Sequence, residues 1–521
     1  MTKSAQEIEL KFAASADALR LMQQRLPAKT KNTKPKMLVS VYFDTGKLKL
    51  HKRGLSLRVR RDGKRRLQTI KAGDGQGVVR GEWEHEITSD GPELKAARSS
   101  PAYKLLAKKK VRRALKPVFE TRVTRVAYPV KTGGSVVEIS FDQGEIDTGR
   151  ACWPISEVEF ELKRGQPADL FKLAKDFARK SPVELALASK AERGYVLLNG
   201  EKDAPIRAAS IAVVPDMEAG PALQAIARSC LRQLVDNLPA LRQRDPEGLH
   251  QARVALRRLR ASISLFAELV HDSQTQVIKH KLKWITNEFG PAREMDVLAA
   301  RASEGAGTQS PMTDVERAGV PAIKNEVRQK RSRAFSRARA AIASLRFRIF
   351  LVDLVAWIET GAWLASNDPL VQAEAKRPIA GFAREELSRR RKKILKRGRK
   401  LRALDPPRRH KLRIEVKKIR YAAEFFGGVF PSRKANRRRQ IFLGKLEPLQ
   451  DCLGDLNDIT VNRELSAHLA MEQQEGSHRK AKTAAAFVVG ELAGREQARL
   501  ASTLDAAEEA FDSFVGAKRF W

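Results

Sequence analysis

The sequence predicts an α+β fold in which an antiparallel β-barrel is followed by an all-helical domain. Three observations support it. Before residue 205, apolar and polar residues alternate in short runs, and turn signals such as Asp62-Gly63 and Gly133-Gly134 separate the runs. From residue 221 onward the strand pattern stops, and Ala, Leu, Arg and Lys recur with helical periodicity. The helical part also contains an internal repeat.

Eight segments of the first part have the alternation of a strand. Successive side chains of a strand point to opposite faces, so each segment would present one apolar and one polar face. Many antiparallel strands over about two hundred residues favour a closed or nearly closed barrel. Helical patterns at 16–25 and 169–179 interrupt the series. The predicted strands are 7–13, 37–44, 55–61, 65–71, 80–87, 118–128, 136–141 and 155–162.

Charged side chains share one face of several predicted strands. Glu7, Glu9 and Lys11 alternate with apolar residues in the first of them. The apolar faces need cover, which the two interrupting helices could give, and the charged faces would then line the interior. Pointing outward, they would be ordinary solvated sheet. A charged lumen is costly unless its charges are paired or hydrated. Paired carboxylates beside a lysine suit a hard divalent ion in the company of phosphate.

Composition limits the partners. Of 521 residues, 100 are lysine or arginine and 61 are acidic, a formal charge of +39 that predicts a polyanionic partner. Aromatic residues make up 6%, too few to favour base stacking, so nucleic acid is a weak alternative. The cysteines, Cys152, Cys230 and Cys452, lack metal-ligand spacing. With neither a signal sequence nor a membrane span predicted, a soluble, cytoplasmic protein without membrane partners is expected.

Domain limits follow from these patterns. We expect a barrel domain at 1–203, a linker at 204–218 and a helical domain at 219–515. The linker segment contains Pro205 and Pro215 and has little periodicity, which is typical of a connection between domains.

A repeated basic stripe marks the helical part. Each copy has one histidine and three cations spaced by three, four and three residues, so the four side chains share one helix face. Like charges at this spacing repel, and an anion lying along the stripe would reverse that penalty. The alternative is a solvated basic face. The stripes are His250, Arg253, Arg257 and Arg260, and His410, Arg413, Lys417 and Arg420.

A series of short motifs stands in order along the first part. The motifs are Glu7-x-Glu9-x-Lys11, Leu57-Arg58-Val59-Arg60, Thr69-Ile70-Lys71, Arg80-Gly81-Glu82-Trp83-Glu84, Glu157-Val158-Glu159 and Ser189-Lys190. In these motifs the first part resembles the CYTH superfamily, also called triphosphate tunnel metalloenzymes. The resemblance implies an eight-stranded tunnel that hydrolyses a triphosphate with Mg²⁺ or Mn²⁺. Inorganic triphosphate is the expected substrate, while thiamine triphosphate, nucleoside triphosphates and adenylate cyclisation remain compatible.

This resemblance also implies roles for individual residues. Glu7, Glu9 and Lys11 would form the catalytic set, with Lys11 helping to orient or deprotonate the attacking water. The implied metal ligands are Glu7, Glu9, Asp142, Glu157 and Glu159. The implied phosphate-binding residues are Lys11, Arg58, Arg60, Lys71, Arg125, Lys190 and Arg193.

The second part resembles the CHAD domain, a helical domain named for conserved histidines. The resemblance implies that two similar helical bundles bind inorganic polyphosphate in a basic groove between them. The two stripes and Tyr421 would line that groove. A location at polyphosphate granules would follow. The alternative is a scaffold that binds polyphosphate while its tunnel is catalytically idle.

Overall fold

The structure is a computed structural model. It describes the backbone of residues 5–26, 34–72, 79–201, 203–304, 314–472 and 479–521. Within these ranges, the description does not extend to a further set of side chains. They are those of residues 5–7, 79–80, 297–298, 300–304, 314–324, 326, 460–472, 479–493 and 495–497.

Nine strands and several helices form the N-terminal part. The eight predicted strands are all present, and a ninth strand of three residues is added. A three-residue strand is too short to carry a recognisable alternation. The elements are β1 (Ala5–Ala13), α1 (Ala16–Gln24), β2 (Lys36–Thr45), β3 (Leu55–Asp62), β4 (Arg65–Ala72), β5 (Val79–Ile87), α2 (Tyr103–Leu106), α3 (Lys109–Arg112), β6 (Leu115–Thr132), β7 (Ser135–Asp147), β8 (Cys152–Arg164), α4 (Pro167–Lys180), β9 (Glu184–Ala186) and α5 (Lys190–Asn199).

The sheet closes into a ring. Its strand order is β5-β4-β3-β2-β6-β7-β8-β1-β9, and a further pairing of β5 with β1 joins the first eight strands. The N-terminal half of β1 pairs with β5, whereas its C-terminal half lies between β8 and β9. In this ring β3 lies opposite β8 and β4 lies opposite β7, so their inward side chains face one another across the lumen.

The apolar strand faces point out of the barrel. Leu10, Phe12 and Phe160 are fully buried there. Phe12 meets Phe160 edge to face at 5.9 Å, and Phe177 of α4 covers Phe160 at 5.3 Å. The charged faces therefore point inward, as the alternation predicts.

Helices make up the C-terminal part, in agreement with the predicted fold class. Among the described residues, none of these helices combines the length and the apolar character needed to cross a bilayer. The helices are α6 (Ala219–Asp236), α7 (Leu238–Arg242), α8 (Pro246–Leu265), α9 (Ser273–Glu304), α10 (Asp314–Ala343), α11 (Leu345–Thr360), α12 (Pro369–Ala375), α13 (Ile379–Gly398), α14 (Pro406–Phe425), α15 (Arg433–Glu472) and α16 (Arg479–Val515).

The internal repeat appears as two equivalent helix pairs, α8 with α9 and α14 with α15. In the first pair Gly290 lies 3.7 Å from Arg253, and in the second Gly454 lies 3.8 Å from Arg413, both measured from a Cβ built on the glycine. Phe266, which ends the first repeat, packs against Phe426, which ends the second, at 6.3 Å. The repeats therefore meet through their apolar ends.

The barrel and the helices share one continuous hydrophobic core. Polar contacts cross the same boundary. Lys175 of α4 forms an ion pair with Asp353 of α11 at 2.5 Å. Arg348 of α11 donates hydrogen bonds to the carbonyl oxygens of Ala178 and Ser181, at 3.2 and 2.9 Å. The barrel is thus packed on the helical part and not merely tethered to it.

Candidate functional site

A charged cavity of about 410 Å³ runs inside the barrel. Two predicted site residues, Glu157 and Arg193, pair with each other in its wall. The side chain of Glu7 lies outside the described residues. The predicted residues that line the cavity are Glu9, Lys11, Arg58, Arg60, Lys71, Arg125, Asp142, Glu159 and Lys190.

Three buried carboxylates form one wall of this tunnel. Asp142 on β7 and Glu157 and Glu159 on β8 bring oxygen atoms within 4.8 Å of one another. The ammonium of Lys190, from α5, lies 2.6 Å from Asp142 and 2.8 Å from Glu159, and it also contacts Glu157. Burial alone would lower the pKa of Lys190, but these three carboxylates raise it above its usual value.

Two further cations hold the same carboxylates. Lys11 Nζ lies 3.1 Å from Glu159 and 3.3 Å from Glu9. Burial would lower the pKa of Lys11, yet Glu9 and Glu159 raise it, so the side chain stays an ammonium. The guanidinium of Arg125 donates two hydrogen bonds to Asp142, at 2.7 and 2.6 Å, and a third to Glu159.

The carboxylate cluster fits a divalent cation. Its ligand atoms are carboxylate oxygens, which hard ions such as Mg²⁺ prefer. One of them, Glu157 Oε1, is buried beside Lys190 and accepts no hydrogen bond of good geometry. A metal ion would suit this oxygen, because the attraction between an ion and a carboxylate does not require a hydrogen-bond direction. The Lys190 ammonium already shows that a cation is stable at the centre of the three groups.

Arginines dominate the opposite wall. Arg60 on β3 has one weak partner, the Ser40 hydroxyl at 3.4 Å, and no ion pair within the described part of the chain. Burial and the neighbouring charges of Arg58 and Arg125 lower its pKa to about 10. Arg58 Nε is buried without an acceptor. Arg58 is compensated by Glu82 at 3.6 Å, whereas the buried charge of Arg60 is not, so it is Arg60 above all that favours binding of an anion at this wall.

A second cationic site lies where α8 and α14 meet. Burial and the charges of Arg413 and Arg257 lower the pKa of Lys417 to about 7. Burial and Arg257 lower that of Arg253 to about 10. Residues from both repeats thus repel each other where the two helices meet. Of these, Arg253, Arg257 and Arg413 each keep a buried Nε without a hydrogen-bond acceptor.

Family models match both parts of the chain. The CYTH domain matches residues 5–195, and the CHAD domain matches residues 225–467. The chain carries a CYTH domain followed by a CHAD domain. Inorganic triphosphatase of Haemophilus influenzae is 32% identical over 198 residues, which is 37% of this chain and 55% of that protein. The chain therefore matches little more than half the length of this relative.

Solved structures resemble each domain. The CHAD domain from the plant Ricinus communis is 28% identical with a TM-score of 0.49, covering 59% of this chain and 96% of that structure. A Hippeastrum protein named for adenylyl cyclase and described as having a dominant triphosphatase activity is 18% identical. Its TM-score is 0.28, and the likeness covers 38% of this chain and 97% of that structure.

The other predicted CHAD residues have different surroundings. Burial and the neighbouring Arg293 and Arg257 lower the pKa of His250 to about 4, so it is neutral near pH 7. His410 is exposed, and its Nδ1 lies 2.6 Å from Asn457 Oδ1. Arg293 and Asn457 thus occupy equivalent positions beside the two histidines.

Three further residues predicted to line the groove are either exposed or in contact with other side chains. Arg260 is exposed. Arg420 pairs with Glu424 at 3.2 Å and with Glu447 at 3.7 Å. Tyr421 stacks on Phe425 with 6.3 Å between ring centroids.

The CYTH tunnel also contains residues that sequence reasoning missed. Lys163 lines the lumen and pairs with Glu161 at 2.7 Å and Glu138 at 3.4 Å. It continues the alternation of Glu157, Glu159 and Glu161 by one step, so that pattern could have revealed it. Tyr42 also lines the lumen, on a face of β2 that carries little charge. Burial would raise its pKa, but Arg58 and Arg60 lower it.

Proposed function

We propose that the CYTH tunnel hydrolyses inorganic triphosphate with Mg²⁺ or Mn²⁺ and that the CHAD groove binds inorganic polyphosphate. One observation carries the first part: a buried three-carboxylate cluster faces an arginine wall across a single cavity. That pairing suits a metal on one side and the charged oxygens of a phosphate chain on the other. Phosphate release from triphosphate, described at the end of the Discussion, tests it.

The lumen suits a substrate without a base or an apolar group. Its charged walls match a linear polyanion. Among the described lining residues, Tyr42 is the one aromatic side chain, and one face of its ring already stacks on Phe119 with 4.6 Å between ring centroids. These features favour inorganic triphosphate over thiamine triphosphate, ATP and adenylate cyclisation, which are the alternatives within the superfamily.

The chain's own residues would bind and orient the substrate. A divalent ion held by Glu9, Asp142, Glu157 and Glu159, with Glu7 as a further candidate, would supply a polarised water and Lewis-acid contact with phosphate oxygens. Arg58, Arg60 and Lys71 would neutralise charge that develops on the transferred phosphoryl group. The bidentate contact with Asp142 fixes the orientation of the Arg125 guanidinium. Lys11 remains protonated, so we assign it to orienting phosphate or water and not to removing a proton.

Arg60 should strengthen substrate binding while lowering the stability of the folded protein. We expect Arg60→Gln to raise the KM for triphosphate about 10- to 100-fold, because a buried charge that contacts phosphate is removed. The same change should raise the melting temperature, because Arg60 is repelled by Arg58 and Arg125. Steady-state kinetics and thermal unfolding measure the two effects. Arg66→Gln on β4, paired outside with Asp90, is the control. An unchanged KM would contradict the assignment.

Polyphosphate is the ligand that best matches the CHAD groove. This site brings together cations of α8 and α14, and three of their buried N–H groups lack acceptors. A chain of phosphates offers evenly spaced oxygens to such donors. Recruitment of a cytoplasmic protein to polyphosphate granules would follow from this affinity.

Lys417 should make polyphosphate binding depend on pH. A bound polyanion raises its pKa above the free value of about 7, so its contribution is complete below pH 7 and is lost as pH rises through the bound-state pKa. We expect the Kd to increase between pH 7 and 9 by up to about tenfold per unit. Titration calorimetry at constant ionic strength measures this. Lys417→Arg should flatten the profile, and an equally steep profile in that variant would contradict the prediction.

The scaffold hypothesis remains the alternative from another functional class. It predicts tight polyphosphate binding with no metal-dependent turnover in the tunnel. Among the described residues, none that lines the tunnel belongs to the basic stripes, so variants in either site separate the two functions.

A further inference from the structure

Helix α5 places a lysine side chain in the tunnel. Its first residue, Lys190, enters the carboxylate cluster, and Arg193 contacts Glu157. A capping box fixes this first turn. Ser189 N donates to Glu192 Oε2 at 2.7 Å, and Glu192 N donates back to Ser189 Oγ at 3.1 Å. The position of Lys190 therefore depends on the side chain of Glu192.

The other carboxylate oxygen of Glu192 is held by the CHAD domain. Arg232 Nη1, from α6, donates a hydrogen bond to Glu192 Oε1 at 3.0 Å. The same guanidinium also donates to Asp236 and, at 3.5 Å, to the Leu187 carbonyl. Burial alone would lower the pKa of Arg232, but Glu192 and Asp236 raise it. A charged hydrogen bond shielded from water is among the stronger polar contacts in a protein.

The barrel itself holds the middle of α5. The Tyr195 hydroxyl donates to Asp44 at 3.2 Å, and the His51 ring stacks on Tyr195 at 4.0 Å. Gly194 lies so close to Phe119 that an added Cβ would sit 2.2 Å from the ring. The part of α5 that follows the first turn is therefore fixed within the CYTH domain.

Two other ion pairs between the described parts of the two domains do not reach the tunnel. Arg242 pairs with Glu184 on β9 at 2.7 Å, and Lys175 on α4 pairs with Asp353. Neither β9 nor α4 supplies a residue that lines the cavity. Arg232 differs because its partner belongs to the turn that carries Lys190.

We propose that Arg232 is a positioning residue through which the CHAD domain holds Lys190 in the tunnel. Loss of Arg232 would remove the charged hydrogen bond that holds Glu192 from the CHAD side, and the first turn of α5 would open more often. The consequence for turnover rests on the proposed function. The consequence for α5 does not.

Hydrogen exchange in the full chain tests the proposal directly. Arg232→Gln should increase the exchange rate of amides in residues 190–194 about tenfold or more, because the Glu192 contact is lost. Arg232→Lys should restore part of the protection. Arg242→Gln, which removes another interdomain ion pair, is the matched control and should leave these amides unchanged. Glu192→Gln keeps a capping box but loses the ion pair with Arg232. When Arg232→Gln is added to Glu192→Gln, the exchange rates in residues 190–194 should therefore change little further.

Steady-state kinetics with inorganic triphosphate are the second test of the proposal. We expect Arg232→Gln to raise the KM and lower kcat together about tenfold, with rescue by Arg232→Lys and no change in Arg242→Gln. Unchanged exchange in residues 190–194, or equal effects of Arg232→Gln and Arg242→Gln, would overturn the proposal. If the wild-type chain does not hydrolyse triphosphate, the proposed function fails, and the exchange arm still decides the role of Arg232.

Discussion

Glu159→Gln is expected to lower turnover of inorganic triphosphate about 1,000-fold, the equivalent of several kcal/mol of transition-state stabilisation. Glu159 is the common partner of Lys11, Arg125 and Lys190, and it is one of three oxygen donors that fit the metal. The neutral amide would remove a metal ligand and leave three cations without their shared counter-charge. Phosphate release at saturating metal measures the loss.

Matched variants separate this effect from unfolding. Glu145→Gln changes the same group on the outer face of β7, where it pairs with Arg122, and should keep turnover within about twofold. Glu159→Asp keeps the charge and should retain more activity than Glu159→Gln. Polyphosphate binding should be unchanged in all three. A loss below tenfold in a folded Glu159→Gln protein would contradict the metal-ligand role.

Arg257→Glu is expected to weaken polyphosphate binding by about 100-fold or more. Arg257 acts on Lys417, Arg253 and Arg413, so it is central among the groove cations of both repeats. A carboxylate at this position would repel phosphate and also relieve the repulsion among its neighbours. The melting temperature should therefore rise while affinity falls. Fluorescence anisotropy with labelled polyphosphate and thermal unfolding measure both.

Lys104→Glu is the control for overall charge. Lys104 is exposed on α2 of the CYTH domain, and its reversal changes the net charge by the same amount. It should leave polyphosphate affinity nearly unchanged. Equal weakening in both variants would mean that the +39 charge of the whole chain, and not the groove, binds the polyanion.

Alternation with a period of two predicted the barrel and its inward charges because each strand buries its apolar face against helices. The same pattern could not predict β9, which is three residues long. It also could not predict that Lys190 enters the cluster of carboxylates on β7 and β8, because only the packing of α5 onto the barrel brings them together. Arg232 lies on a helix of the other domain, so its contact with Glu192 has no local signal in the sequence.

The repeated basic stripes also predicted only part of the structure of their site. Helical spacing predicted which side chains share a face, but burial depends on how α8 and α14 pack. Arg253, Arg257, Arg413 and Lys417 are partly buried, whereas Arg260 and His410 are exposed. The second repeat has Asn457 where the first has Arg293, and the sequence showed this asymmetry without its consequence. The structure gives the consequence: one histidine is beside a cation and the other is beside an amide.

Phosphate release from inorganic triphosphate by the purified full chain is the most direct test of the central claim. It should be measured with Mg²⁺ and with Mn²⁺, beside ATP and thiamine triphosphate, and with Glu159→Gln in parallel. We expect metal-dependent turnover that is selective for inorganic triphosphate and nearly absent in the variant. No turnover of any of the three substrates with either metal would contradict it and favour a polyphosphate-binding scaffold.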